Sequence, residues 1–111
     1  MKKRNEQIAK MLGFTQRSYG SFKLWEFNGV PAGELDFHYD WNWLMKAVEF
    51  IENLHKGNAY GVEIGANHCE IFTYTQFALA HDIDVEIYHK KKSKIEAVFY
   101  VVSDFAKTYS K

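Results

Sequence analysis

The segment 41–56 constrains the fold of this chain more than any other. Its apolar residues fall on two neighbouring rows at helical spacing: Leu44, Val48, Ile51 and His55 in one row, and Trp43, Ala47, Phe50 and Leu54 in the other. A helix with so wide an apolar face must lie against other elements in a core. Asp40 is its predicted N-cap, and Gly57-Asn58 is its predicted end.

Two more helices and several strands are predicted around this segment. Residues 5–12 form a short amphipathic helix that Asn5 caps and Gly13 closes, and a capping box at 93–96 opens a final helix that reaches Tyr109. Apolar residues predict strands near 22–27, 35–37, 60–64, 69–74 and 83–88. Asn28-Gly29 is a strong hairpin-turn signal. We therefore expect a single α+β domain over residues 1–111, in which two long helices pack on one face of an antiparallel sheet of three to five strands.

Composition restricts the class of protein. The chain contains 14 basic and 14 acidic residues, so its net charge of zero gives no long-range attraction to nucleic acid or anionic membranes. One cysteine, Cys69, excludes an internal disulfide and favours a reducing, cytoplasmic setting. The basic start is followed by polar residues, unlike a signal peptide, and no apolar run is long enough to cross a bilayer. We expect no metal or cofactor.

Three short motifs carry a resemblance to a known family. They are Asp40-Trp41-Asn42-Trp43-Leu44-Met45 with the V-E and I-E pairs that follow at 48–52, Lys94-Ile95-Glu96-Ala97-Val98-Phe99, and Ile8-Ala9-Lys10-Met11-Leu12-Gly13. In these motifs the chain resembles small, functionally uncharacterised proteins of gut Bacteroidales bacteria and their phages. Relatives close with an aromatic-rich E-F-I-K-W-Y-N, from which residues 103–109 depart. The resemblance implies a bacterial or phage origin and an intracellular protein, but no activity.

Aromatic residues outside the helical rows are the first candidate site. Aromatic side chains make up 17% of the chain, more than so small a core needs. Tyr19, Tyr39 and Trp41 lie off the main helical rows and are candidates for binding a partner. Trp43 belongs to the apolar face of its helix, so we expect it to anchor the core.

Charged residues supply the second candidate site. Lys90, Lys91, Lys92 and Lys94 form one basic cluster that could contact phosphates, together with the basic segment 2–4. Asp82, Asp84 and Glu86 alternate along a predicted strand; such a row could bind Mg²⁺ or Ca²⁺, but more often it is a solvated or charge-protected strand face.

Histidine pairs could support catalysis. His38 and Asp40 are two residues apart, although Asp40 is better explained as a helix cap. His68 and Cys69 are adjacent, and neighbours on a strand point to opposite faces, so Cys69 is expected to be a buried, inert thiol. The sequence contains no known catalytic or phosphate-binding motif.

Three functions remain open. We rank first a small non-catalytic protein-binding or accessory module of phage or mobile-element origin, with a host or phage protein as its partner. A weak nucleic-acid-binding protein that uses Lys90–Lys94 ranks second, and steep salt dependence would favour it. An enzyme with a site near His38 ranks third, and a deep pocket with perturbed titratable groups would favour it.

Overall fold

The computed structural model describes residues 2–33, 35–54, 59–74 and 83–109. In these residues three helices alternate with two groups of three strands. The elements in chain order are α1 (Lys2–Leu12), β1 (Thr15–Tyr19), β2 (Phe22–Phe27), β3 (Val30–Gly33), α2 (Trp41–Glu52), β4 (Ala59–Ile64), β5 (His68–Tyr74), β6 (Ile83–Lys90) and α3 (Lys94–Tyr109). The α+β class is confirmed.

The strands form two separate antiparallel sheets where one was expected. The first sheet has the order β1-β2-β3 and the second has the order β4-β5-β6. The predicted meander at 60–64, 69–74 and 83–88 is present as the second sheet. Strand periodicity shows which residues alternate, but it does not show which strands pair, so it could not separate the two sheets.

The core lies between the second sheet and the helices. α3 packs against β5 and β6, α2 packs against β4, and α1 packs along α3. Leu44 and Ile51 of α2, Phe99 of α3 and Ile71 of β5 are fully buried there. The apolar rows of α2 therefore perform the role that their spacing predicts.

Helix ends follow local side-chain chemistry in two places. The Asp40 carboxylate accepts a hydrogen bond from the Trp43 backbone N–H at 3.2 Å, as an N-cap does. The Ser93 hydroxyl accepts one from the Glu96 N–H at 3.3 Å, which confirms one half of the predicted capping box.

α1 and α2 have other limits than predicted. α1 begins at Lys2, so Asn5 is inside the helix, where its buried amide lies 2.9 Å from His38 Nδ1. α2 ends at Glu52 instead of residue 56. The Asn53 N–H still makes a helical bond to the Glu49 carbonyl, but the Asn53 backbone leaves the helical conformation, and the Leu54 N–H bonds to the carbonyl of Ile51, three residues back. Residues 55–58 lie outside the described residues.

The predicted strand at 35–37 is wrong. Residues 37–39 form a turn, in which the Asp36 carbonyl accepts hydrogen bonds from the N–H groups of Tyr39 and Asp40 at 3.0 and 2.8 Å. Phe37 is buried and Leu35 packs partly buried against the core, so two inward residues at a turn imitated strand alternation. The third strand of the first sheet lies earlier, at Val30–Gly33, directly after the Asn28-Gly29 turn. Both turn residues have positive φ, as a type I′ turn requires.

An aromatic cluster joins the first sheet to the core. The Phe14 ring, which follows α1, lies 4.8 Å from the ring of Phe27 on β2 and 5.2 Å from that of Trp43 on α2, measured between centroids. Phe37 closes the cluster at 5.9 Å from Phe14. Trp43 is thus a core anchor, as expected.

Candidate interaction site

The hairpin formed by β1 and β2 carries two exposed aromatic side chains, Tyr19 and Phe22. A two-residue loop, Gly20-Ser21, brings Tyr19 opposite Phe22, and the left-handed φ of Gly20 suits a type II′ turn. The same register sets Arg17 opposite Leu24 and Thr15 opposite Glu26. Because paired residues share a face of the sheet, one side of the hairpin presents a common surface. We call it the hairpin face; it consists of Arg17, Tyr19, Phe22, Leu24 and Glu26.

The aromatic residues of the hairpin face are exposed but held in place. Phe22 is 58% exposed and stacks on Tyr19, which is 38% exposed, with 6.2 Å between the ring centroids. The Tyr19 hydroxyl donates a 2.6 Å hydrogen bond to the buried Glu26 carboxylate. This bond raises the pKa of the Tyr19 phenol above its ordinary value. Arg17 lies 3.7 Å from the same carboxylate.

The other two aromatic candidates are exposed at a different place. Tyr39 is 67% exposed and Trp41 is 38% exposed, on either side of the Asp40 cap. The Tyr39 ring contacts His38, whereas the Tyr19 ring stacks on Phe22. Phe22 was not predicted as a site residue from the sequence. Its position beside a glycine turn was the one local feature that could have indicated its exposure.

In the lysine cluster, one side chain contacts an aromatic ring and the other three are exposed. Lys90, Lys92 and Lys94 are exposed, but the Lys91 ammonium lies 4.0 Å from the centre of the Tyr100 ring. The Arg4 guanidinium lies 4.2 Å from the same ring. Two basic segments from opposite ends of the chain therefore meet at one tyrosine, where cation–π contacts stabilise both cations.

Asp104 neutralises part of this basic region. One carboxylate oxygen lies 2.7 Å from Arg4, and the other lies 2.5 Å from His89 Nε2. Burial raises the pKa of the Asp104 carboxyl, but the hydrogen bonds from His89 and Arg4 outweigh that effect and hold the pKa below its ordinary value. The carboxylate links α1, β6 and α3.

A stability change in acid should follow from this link. A carboxyl whose pKa is lowered by folding stabilises the folded protein above its unfolded pKa, about 3.9 for Asp. That contribution is lost as the pH falls through the lower, folded value. We expect Asp104→Asn to lower the melting temperature near pH 7 and to reduce its fall below about pH 4. Thermal melts of both proteins across that range test this, and parallel curves would contradict it.

A groove with polar and apolar walls lies between the hairpin, α1 and residues 35–38. Its volume is about 780 Å³, within the range of ligand sites. Lys2, Glu6, Lys23 and Asp36 supply charges of both signs, and Trp25 provides an apolar wall. His38 also lines the groove, and its Nδ1 lies 2.9 Å from the Asn5 amide. Asp40 caps α2 instead. The structure therefore does not bring the predicted His38–Asp40 pair together.

The second histidine pair is separated as expected. Cys69 is fully buried, and burial raises the pKa of its thiol to about 12, so it is held as an unreactive thiol. The His68 ring instead stacks on Tyr88, with 6.1 Å between centroids.

The acidic row is described only in part. Asp82 lies outside the described residues, as does the Asp84 side chain, while Glu86 accepts a 3.2 Å hydrogen bond from Thr73. Within residues 2–33, 35–54, 59–74 and 83–109, no three His, Cys, Asp or Glu side chains come close enough to hold a metal ion.

The chain matches no protein-family model, no curated protein and no solved structure. Among the helices that the structure describes, none has the length and apolar character to cross a membrane.

Proposed function

We propose that this chain is a small, non-catalytic protein-binding module of phage or mobile-element origin, and that it engages a host or phage protein through the hairpin face. The observation that carries this proposal is the ordered pair of Tyr19 and Phe22, stacked and exposed on one side of the hairpin. Neighbouring apolar groups that are exposed together often mark an interaction site, and aromatic residues supply much of the energy of protein interfaces.

The Tyr19 side chain is preorganised for binding. The hydrogen bond from Tyr19 to Glu26 and the stacking with Phe22 already restrict the Tyr19 ring. A restricted side chain loses less conformational entropy on binding than a free one, which leaves more of the contact energy for affinity. Glu26 itself is buried, so it supports the surface more than it contacts a partner.

Nucleic-acid binding is the second candidate, favoured by the meeting of Arg4 and Lys91 at Tyr100. Against it, Arg4 is paired with Asp104, and the chain has no net positive charge. Binding by the three exposed lysines would weaken steeply as salt concentration rises, whereas binding through the hairpin face would not.

An enzyme near His38 has less support. The groove beside His38 contains charges of both signs, but a general base needs a substrate proton within hydrogen-bond reach and a poised pKa. The Asn5 amide already lies 2.9 Å from the Nδ1 atom of His38. We rank this candidate third.

Affinity capture from a lysate of a gut Bacteroidales bacterium tests the proposal. The baits are the native chain, Tyr19→Ala/Phe22→Ala, Tyr39→Ala/Trp41→Ala and Lys90→Ala/Lys91→Ala/Lys92→Ala, each with and without nuclease. We expect the native chain to capture a protein both with and without nuclease. The Tyr19/Phe22 variant should capture at least about tenfold less of that protein, as is usual when interface hot spots are removed, whereas the lysine variant should still capture it.

Other outcomes distinguish the alternatives. Loss with only the Tyr39/Trp41 variant would move the binding surface to the start of α2. Loss with only the lysine variant, together with nuclease sensitivity, would replace the proposal by nucleic-acid binding. Circular dichroism of each bait shows whether it is folded.

A further inference from the structure

The outer strands of the two sheets differ in how they are protected. A sheet edge exposes unpaired backbone groups, which proteins commonly block with proline, bulges, lysine or a covering helix. β3 has only four residues and contains Pro31, and its pairing with β2 shifts register. β4 packs against α2, and β6 has a register shift and ends at Lys90.

β1 has none of these protections. It pairs with β2 over five consecutive residues without a register shift, and all five are exposed. The strand contains no proline, lysine or acidic residue, and its one charged side chain is Arg17. Its free edge is therefore the least protected of the four.

The hairpin turn determines which backbone groups are available. In a two-residue hairpin the flanking pair, here Tyr19 and Phe22, is joined by the turn hydrogen bond. Hydrogen-bonded and non-hydrogen-bonded pairs alternate along an antiparallel ladder, so Arg17 and Thr15 also bond to β2. The N–H and C=O groups of Gln16 and Ser18 consequently point away from β2, to the open edge.

We infer that the partner binds as an extended segment of another protein, added as a strand to the edge of β1, with an acidic residue opposite Arg17 and an apolar residue opposite Tyr19. This inference rests on the proposed function and names the class of partner. Arg17 lies 3.7 Å from Glu26 but its side chain is still 66% exposed, and it would stand in a non-hydrogen-bonded pair, in which side chains are closest. An apolar residue two positions away would meet the ring of Tyr19, since alternate residues share a face.

A second copy of this chain is a poorer occupant of the edge. In the antiparallel register that overlaps all of β1, two copies would place Arg17 directly opposite Arg17. Like charges opposite each other destabilise a strand pair. The charge of β1 therefore favours an acidic partner over self-pairing.

A designed peptide tests the inference directly. The probe is acetyl-Val-Thr-Glu-Thr-Val-amide, whose Glu pairs with Arg17 in the antiparallel register, and its matched control has Lys in place of Glu. In NMR titrations of the ¹⁵N-labelled chain, we expect saturable shifts of the Gln16 and Ser18 amide signals at millimolar peptide. The Lys peptide should bind about threefold more weakly or worse. Shifts confined to other regions, or no saturable shift, would overturn the inference.

Ser18→Pro is the decisive variant. It removes an N–H that points away from β2, and edge strands tolerate proline there, so the hairpin should remain folded while peptide binding is lost. Ser18→Ala keeps the N–H and should bind like the native chain. A peptide N-methylated at both Thr residues blocks the same contacts from the other side, which keeps the test decisive if Ser18→Pro does not fold.

The lysate capture separates this inference from the proposed function. If Ser18→Pro retains the captured protein while Tyr19→Ala/Phe22→Ala loses it, binding uses the hairpin face but adds no strand, and only the inference fails. If the amide signals of Gln16 and Ser18 shift with protein concentration in the absence of peptide, the edge pairs with a second copy and the inference is overturned.

Discussion

Val48→Asp is expected to unfold the protein. Val48 lies on the buried side of α2 and is 5% exposed. An aspartate at this position would place an unpaired charge in an apolar core, at a cost of several kcal/mol, which is comparable with the total stability of a small domain. Chemical denaturation followed by circular dichroism should show little or no folded protein at 25 °C.

Lys46→Asp is the matched control on the same helix. Lys46 faces solvent, and its ammonium lies 4.3 Å from the centre of the Trp43 ring. The substitution should therefore cost only the cation–π contact, about 0.5–1 kcal/mol at an exposed site. Equal losses of stability in the two variants would show that the apolar face of α2 is assigned to the wrong side.

Phe14→Ala is expected to destabilise the protein by about 3–5 kcal/mol, the usual cost of removing a buried phenylalanine. Phe14 is buried and contacts Phe27, Phe37 and Trp43. Because these rings join the first sheet to the core, the loss should be largest there. Hydrogen exchange should accelerate in β1, β2 and β3 more than in β5.

Phe22→Ala is the control for this experiment, since it removes the same side chain from the exposed end of β2. It should change the free energy of unfolding by less than about 1 kcal/mol. If hydrogen exchange in Phe14→Ala accelerates equally in both sheets, the aromatic cluster does not stabilise the first sheet separately, and the chain unfolds as one cooperative unit.

Local signals in the sequence identified most elements of the structure. The apolar rows of α2, the Asp40 and Ser93 caps and the Asn28-Gly29 turn depend on neighbouring residues, so they could be recognised without the fold. β1 was missed because none of its residues is buried, and a strand without a buried face has no apolar alternation.

The candidate site was predictable only in part. Tyr19 was identified because it lies outside the helical rows, and it proved to be exposed. Its partner Phe22 resembled an ordinary strand residue, since strand alternation does not show which face a core covers. Arg4 and Lys91 are far apart in sequence; the packing of α1 against α3 brings Arg4 to Tyr100, and the packing of α3 against β6, which Lys91 follows, brings Lys91 there.

The sequence by itself determined the kinds of elements and hence the α+β class, together with the core face of α2 and the burial of Cys69, because each depends on residue spacing within individual elements. The tertiary structure decided that the strands form two sheets, that Asn5 lies inside α1 near His38, and that β1 has an open edge. These features arise from contacts between distant segments. Many pairings satisfy the same local periodicity, and the packing of the whole chain selects among them.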